Sequence, residues 1–357
     1  MNAFSLPRQT AEEIARELLS LSPAYAPTPL LDLGALAKQL GVAQVLVKDE
    51  GSRMLGSFKS LGGVYAGLRA LARAAGTNVA GVLKASDRPA ALPALVCASD
   101  GNHGLAVAAA AHFAGASALI YLHSRVPAIR ARRIEAQGAE IRWVEGAYDD
   151  AVDAAAKASK AGAGILVADT SDDPSDAIVA DVMSGYGIIA AEIRDQVEAA
   201  GHRRPTHLFV QAGVGGLACA MAEGLQSWLA PPARFIVVEP ERAACVAAAL
   251  AEHRLVRVAG DLETVAEMLS CGKASAPALE ALRRAGARTL TVSEAELAEA
   301  PRRLRNGGGP FTTPSGAAGF AGLLRAKAEG AAADFAIDAT SRVLVLVTEA
   351  ELESEAP

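Results

Sequence analysis

The chain has 357 residues, half of them apolar, a formal net charge of -6 at pH 7 and four cysteines. That length can bury a substantial core in one large or two medium domains, and the acidic balance, with no Lys/Arg run interleaved with aromatics, argues against a nucleic-acid partner. Gly, Pro and charge interrupt the Ala, Val and Leu before any run reaches a membrane span, so a soluble protein is expected, with the cytoplasm as its default location because MNAFSLPRQTAEEIARELL lacks the pattern of an export signal.

Short β-branched runs alternate with Ala-rich helical stretches: VLVKDE (45–50), ALVCASD (94–100), ALIYLH (118–123), EIRWVEG (140–146), GILVADT (164–170), HLFVQAG (207–213), FIVVEP (235–240) and VLVLVTE (343–349). Strands apolar on both faces and separated by helices predict parallel sheets covered on each side, an α/β fold. In such sheets ligands bind beyond the carboxyl ends of strands, which directs attention to the turns there.

After the first of these strands comes GSFKSLGG (56–63). Phe58, Leu61, Tyr65 and Leu68 recur near helical spacing and would face the core, leaving Lys59 on another face near the helix start. A lysine there is ordinarily a solvated surface charge; a desolvated amine near a helix N-terminus would instead have a lowered pKa and could form an imine. The aperiodic stretch 74–93 reads as a connection near a domain edge. The turn ASDGNHG (98–104) then opens a helix, and its amides, at Ser99, Asp100 and Gly101, could hold a substrate carboxylate while Asn102 bonds a cofactor oxygen. An ordinary turn in which Asp100 or Asn102 caps the helix fits the segment equally well.

Cys97, Cys219, Cys245 and Cys271 show no CxxC spacing, and the six histidines no ligand spacing, so neither a disulfide framework nor a metal site is predicted. QAGVGGLA (211–218) follows a strand and opens a helix, and Gly213, Val214, Gly215, Gly216 and Leu217 make a nest of amides for a phosphate. Taken alone, Gly213, Gly215 and Ala218 with Glu239 after the next strand fit a dinucleotide fingerprint just as well. That oxidoreductase reading leaves GSFKSLGG and ASDGNHG without roles, whereas a pyridoxal phosphate (PLP) reading uses all three segments. In PFTTPSGAAGF (310–320), Ser315 is by itself an N-cap.

As a set and in this order, KDE before SFK, the GNHG turn, the GVGGL loop and the late Ser-Gly segment resemble the tryptophan-synthase-β-like, fold type II PLP enzymes, and within them the diaminopropionate ammonia-lyases, over roughly residues 26 to 325. The resemblance implies that Lys59 holds the cofactor through an imine and shuttles protons, Asn102 contacts the pyridoxal hydroxyl, Gly213 to Leu217 cradle the phosphate and Ser315 partners the pyridine nitrogen. It further implies two domains with the cofactor in the cleft, a large one from 1–92 and 176–357 and a small one from 93–175, and a homodimer. Asp100 stands where many relatives carry Ser or Thr. An anion beside a carboxylate site favours a substrate that also carries a cation, which points to a diamino acid and to proton transfer by Asp100.

The family's other acid falls at Asp169 in ADTSDDPSDA, which matches the family segment at Asp169 and Thr170 and departs from it afterwards. Asp169 is the candidate second base. TTPSGAAG also lacks the acidic residue that those lyases carry just before the serine. The expected reaction is α,β-elimination of 2,3-diaminopropionate to pyruvate and ammonia. The alternatives are a related PLP enzyme acting on serine, threonine or another β-substituted amino acid, a non-catalytic PLP-binding protein and, remotely, an NAD-dependent oxidoreductase.

Overall fold

The computed structural model describes residues 6–84, 92–99, 101–146, 148–328 and 332–351. Two compact units divide the chain: the first takes residues up to Tyr25, Lys59–Asp169 and Ser175–Ile188, and the second takes Ala26–Phe58, Thr170–Pro174 and Ile189 onwards. The first unit thus reaches past the predicted 93–175 segment on both sides, because the helix that Lys59 opens packs within it.

The first unit holds a four-stranded sheet of β3 (Leu95–Ala98), β4 (Ala118–His123), β5 (Glu140–Val144) and β6 (Ile165–Leu166), in the order β5-β4-β3-β6 and parallel throughout. The helix Lys59–Ala74 is buried along Ser60 to Ala72, well beyond the single core-facing set that the spacing predicted. Its closest neighbour in the unit is the helix Asn102–Ala114, itself buried from His103 to Ala111. Gly63 and Gly67, one turn apart, stand opposite Ala106 and Ala110 so tightly that a Cβ at either glycine would overlap the facing alanine. Small residues at this spacing bring two backbones closer than ordinary side chains allow, and this accounts for the Ala and Gly content of both segments.

The second unit holds β1 (Leu30–Asp32), β2 (Gln44–Asp49), β7 (His207–Gln211), β8 (Arg234–Pro240), β9 (Arg288–Val292) and β10 (Arg342–Val347), in the order β1-β2-β10-β7-β8-β9. All neighbours are parallel except β1 with β2, an antiparallel edge that the sequence reading did not contain. β10 is buried at every position from Val343 to Val347, as its unbroken apolar run requires of a strand covered on both faces. Val343, Val345 and Val347 join Val45, Val47, Phe209, Ile236, Val238 and Phe320 in one core. Among the described residues no helix is long and apolar enough to cross a membrane.

Candidate active site

In the four-stranded sheet the chain steps from β3 to β4 to β5 on one side, then returns to the other side of β3 with β6. The space beyond the carboxyl ends of β3 and β6 is therefore the switch point at which open α/β sheets hold ligands. Ser99 and the turn to Gly104 leave β3 there, and Val167 to Asp169 leave β6. The two turns are joined by the buried His103, whose Nε2 lies 3.0 Å from the Val167 carbonyl oxygen.

Lys59 comes to the same place from the start of its helix, and its Nζ donates to the Asp169 carboxylate. The two side chains keep 22% and 18% of their surface open, enough for a ligand to reach either. Burial would raise the Asp169 carboxyl, but the Lys59 ammonium outweighs it and holds the group well below the usual carboxylate range. Asp169 is thus an anion at any working pH, and its partner is the amine singled out from the sequence.

The family resemblance extends to VMSGYG (182–187), a segment expected to shape the pocket, but Tyr186 itself was not among the expected site residues. Its ring lies against Gly62, where a Cβ would collide with it, and its hydroxyl is within reach of Lys59, three residues before that glycine. Burial pushes the hydroxyl above the ordinary tyrosine range, and the Lys59 ammonium only partly opposes this. The local signal in the sequence was the run of small residues in VMSGYG: Gly185 packs on Gly62 as tightly as Gly62 does on the ring.

Asn102 is the first residue of its helix, with Gly101 before it, and the Gly101 amide donates to Ser99 Oγ at 3.4 Å. A Cβ on Gly104 would stand 3.2 Å from the Ser99 carbonyl oxygen, which keeps this helix start flat against the end of β3. Asp100 lies outside the described residues.

The second unit carries the glycine turn. After Gln211 ends β7, Gly215 adopts φ +96° and caps the helix Gly216–Leu225. A Cβ on Gly215 would be strained by that angle and would also stand 3.2 Å from the Ala278 Cβ and 3.3 Å from Val246 Cγ2. The first helical bond runs from the Cys219 amide to the Gly215 carbonyl at 2.9 Å, which leaves the amides of Gly216, Leu217 and Ala218 ahead of it facing out of the helix start. Those amides and the helix dipole suit a phosphate. Val214 is tied down by its carbonyl, which accepts from the Ser275 amide at 2.9 Å.

Ser315 is buried in the same unit, and its Oγ accepts from the Met268 amide at 3.1 Å. Glu239, which the dinucleotide reading needs for a ribose, is buried instead, with its carboxyl oxygens accepting from the Val246 and Ala247 amides at 2.7 and 2.8 Å. Burial pushes its carboxyl up to about 8 against those two donors. The acid is used up inside the protein, so that reading fails. None of the four cysteines is in a disulfide, and three of them are buried.

Comparison with known proteins gives the same answer. The family described as pyridoxal-phosphate dependent enzyme matches residues 21–349. The diaminopropionate ammonia-lyase of Escherichia coli K12 is 31% identical over 358 residues, covering 97% of this chain and 89% of that one. That of Salmonella typhimurium is 34% identical over 261 residues, which are 70% of this chain and 65% of its own length. The solved structure of the Escherichia coli diaminopropionate ammonia-lyase in complex with an aminoacrylate-PLP azomethine reaction intermediate superposes with a TM-score of 0.83 at 29% identity, covering 98% of this chain and 90% of that one. A family match over residues 21–349 and 31% identity across nearly the whole length place the chain in the pyridoxal-phosphate-dependent enzyme family and, within it, among the diaminopropionate ammonia-lyases.

Proposed function

We propose that the chain is a PLP-dependent ammonia-lyase that eliminates the β-amino group of 2,3-diaminopropionate, giving pyruvate and two ammonia molecules with the uptake of one water. The observation that carries the reading is the Lys59 to Asp169 pair, an amine and an ionised carboxylate held together where the sheet opens to ligand. The assignment takes the cofactor part by part. Lys59 would take its aldehyde, the amides from Gly213 to Leu217 its phosphate, Asn102 its ring hydroxyl and Ser315 its ring nitrogen. When bound, the cofactor supplies the electron sink that acidifies the substrate Cα proton.

Asp169 accepts from Lys59 Nζ and would orient that amine. To Asp100 we assign the recognition of the substrate's second ammonium, together with proton transfer at Cα or at the leaving β-amine, and to Ser99 and Gly101 the binding of its carboxylate. We infer a homodimer working in the cytoplasm, to be checked by sedimentation, where a species of one chain mass alone would contradict it.

Borohydride reduction of the purified holoenzyme followed by peptide mapping tests the cofactor site: the label belongs on Lys59, and Lys59→Ala should carry no reducible chromophore. For the substrate, Asp100→Asn should keep the cofactor and lose ammonia release from diaminopropionate by about 10²-fold or more. Unchanged turnover in that variant removes Asp100 from the mechanism. Release of ammonia from serine or threonine but not from diaminopropionate would favour a dehydratase instead.

A further inference from the structure

We propose that Gln211 is a positioning residue: it holds the turn on which the Ser315 hydroxyl, already accepting from the Met268 amide, donates to the cofactor's ring nitrogen and so sets that nitrogen's protonation. The inference rests on the reading above, in which Ser315 partners that nitrogen.

Gln211 ends β7 and is 2% exposed. It sits where the six-stranded sheet changes direction, since β8 and β9 continue on one side of β7 while β10 lies on the other. Its Nε2 faces four oxygens across that divide: the carbonyls of Ser315 at 3.2 Å, Gly316 at 2.8 Å and Leu346 at 3.3 Å, and Thr348 Oγ1 at 3.0 Å. Three of the four are main-chain carbonyls, which can only accept, so the amide has one permitted orientation. Its own Oε1 pays for this by accepting no bond among the described residues. Room for that oxygen comes from Gly319, where a Cβ would stand 2.8 Å away.

The amide therefore pins the turn that carries Ser315 to the end of β10. From the other side the Met268 amide fills one lone pair of Ser315 Oγ at 3.1 Å. Among the described residues the Ser315 hydroxyl proton has no acceptor of its own, although the residue is only 3% exposed. A serine with its acceptor side engaged and its proton unspent donates to what lies in front of it. Opposite a ring nitrogen, a donor favours the unprotonated form. The same Met268 segment abuts the glycine turn, where a Cβ on Gly213 would stand 3.4 Å from the Met268 carbonyl oxygen and 2.9 Å from Cys271 Sγ. Gln211 is itself joined to that turn through Ala212, whose amide bonds the Val238 carbonyl at 3.0 Å.

Gln211→Glu tests this with almost no change of shape, because it turns a donor to three carbonyls into an anion facing them. The assay is titration of the apoprotein with PLP labelled with ¹⁵N in its ring, reading the affinity and the ring-nitrogen resonance. At about pH 8 the variant should bind at least about tenfold more weakly than wild type, and its ring-nitrogen resonance should move. At about pH 5.5, where a carboxyl facing carbonyls is protonated and donates again, the deficit relative to wild type should shrink. Glu349 and Glu239 are the carboxyl groups on the adjoining elements, and the wild-type protein controls for both.

A folded Gln211→Glu with wild-type affinity and an unmoved ring-nitrogen resonance overturns the proposal, as does a deficit equal at both pH values with that resonance unmoved. Should Gln211→Glu fail to fold, Gln211→Met, which removes the donor without adding charge, decides on the ring-nitrogen resonance alone. Ser315→Ala separates the two levels. If it leaves the resonance where it was, the assignment of Ser315 is wrong and the proposal goes with it. If it moves the resonance and neither Gln211 variant does, only the role of Gln211 falls.

Discussion

Glu239 shows how a residue can complete a sequence fingerprint and serve another purpose. It ends its strand where a ribose-binding acid would stand, yet its side chain turns inward to accept two amides at 2.7 and 2.8 Å. Burial raises its carboxyl from 4.5 to about 8. The folded protein thus holds a proton there that the unfolded chain gives up, so the contribution of Glu239 is complete below about 4.5 and is lost as pH rises through about 8. Over that window stability should fall by up to about 1.4 kcal/mol per pH unit from this group. Glu239→Gln should flatten the slope, as read by urea unfolding of both proteins at several pH values, and parallel slopes would refute the assignment. Lys59 and the glycine turn stand out as candidates in the sequence because each sits in a local pattern of strand, small turn and helix, whereas Asp169 became a candidate only through the family resemblance. Gln211 and Tyr186 do not stand out, because what defines them lies more than 100 residues away: Ser315 and Thr348 for the first, Lys59 and Gly62 for the second.

At the scale of elements the same division separates strands from what locks them. The eight predicted strands were legible as β-branched and apolar runs, whereas β1 and β9 were not: β1 has three residues, none of them buried, and RTLTV of β9 alternates polar with apolar residues. KDE at 48–50 reads as a polar strand end, but Lys48 and Glu50 are fully buried with Arg53. Glu192, on the helix Ala177–Ala199, accepts from Lys48 Nζ at 2.5 Å and from Arg53 Nη1 and Nη2 at 2.9 and 2.7 Å, and Glu50 accepts from Arg53 Nε at 2.9 Å. Thr28 and Gln196 complete the set by accepting from Lys48 at 2.8 and 3.0 Å. Removing one member leaves an uncompensated buried charge, and the cost exceeds that of replacing a whole pair. Glu192→Ala should destabilise the protein by about 3 to 5 kcal/mol in urea unfolding. Lys48→Met with Glu192→Leu should recover most of the loss, and a double variant no better than the single would contradict this account.

For the whole molecule, the two tryptophans fall one to each unit. Trp143 lies on β5 and is 52% exposed, whereas Trp228 sits in the second unit with the Arg204 guanidinium 5.7 Å from its ring centre. Each single-tryptophan variant, Trp143→Phe or Trp228→Phe, therefore reports one unit. Two compact units are expected to unfold with separate midpoints, so the two fluorescence transitions in denaturant should not superimpose. Superimposable curves would mean that the units melt together.

The place of β10 has a consequence for how the protein is made. It pairs with β2 on one side and β7 on the other, although 292 residues separate the end of β2 at Asp49 from its own start at Arg342. On the ribosome, β2 and the β7 to β9 trio must wait as unjoined apolar edges until the last strand emerges, while the four-stranded sheet already has every strand it needs. Nascent chains stalled shortly before Arg342 should therefore engage holdase chaperones through the waiting edges, and release should coincide with delivery of that strand.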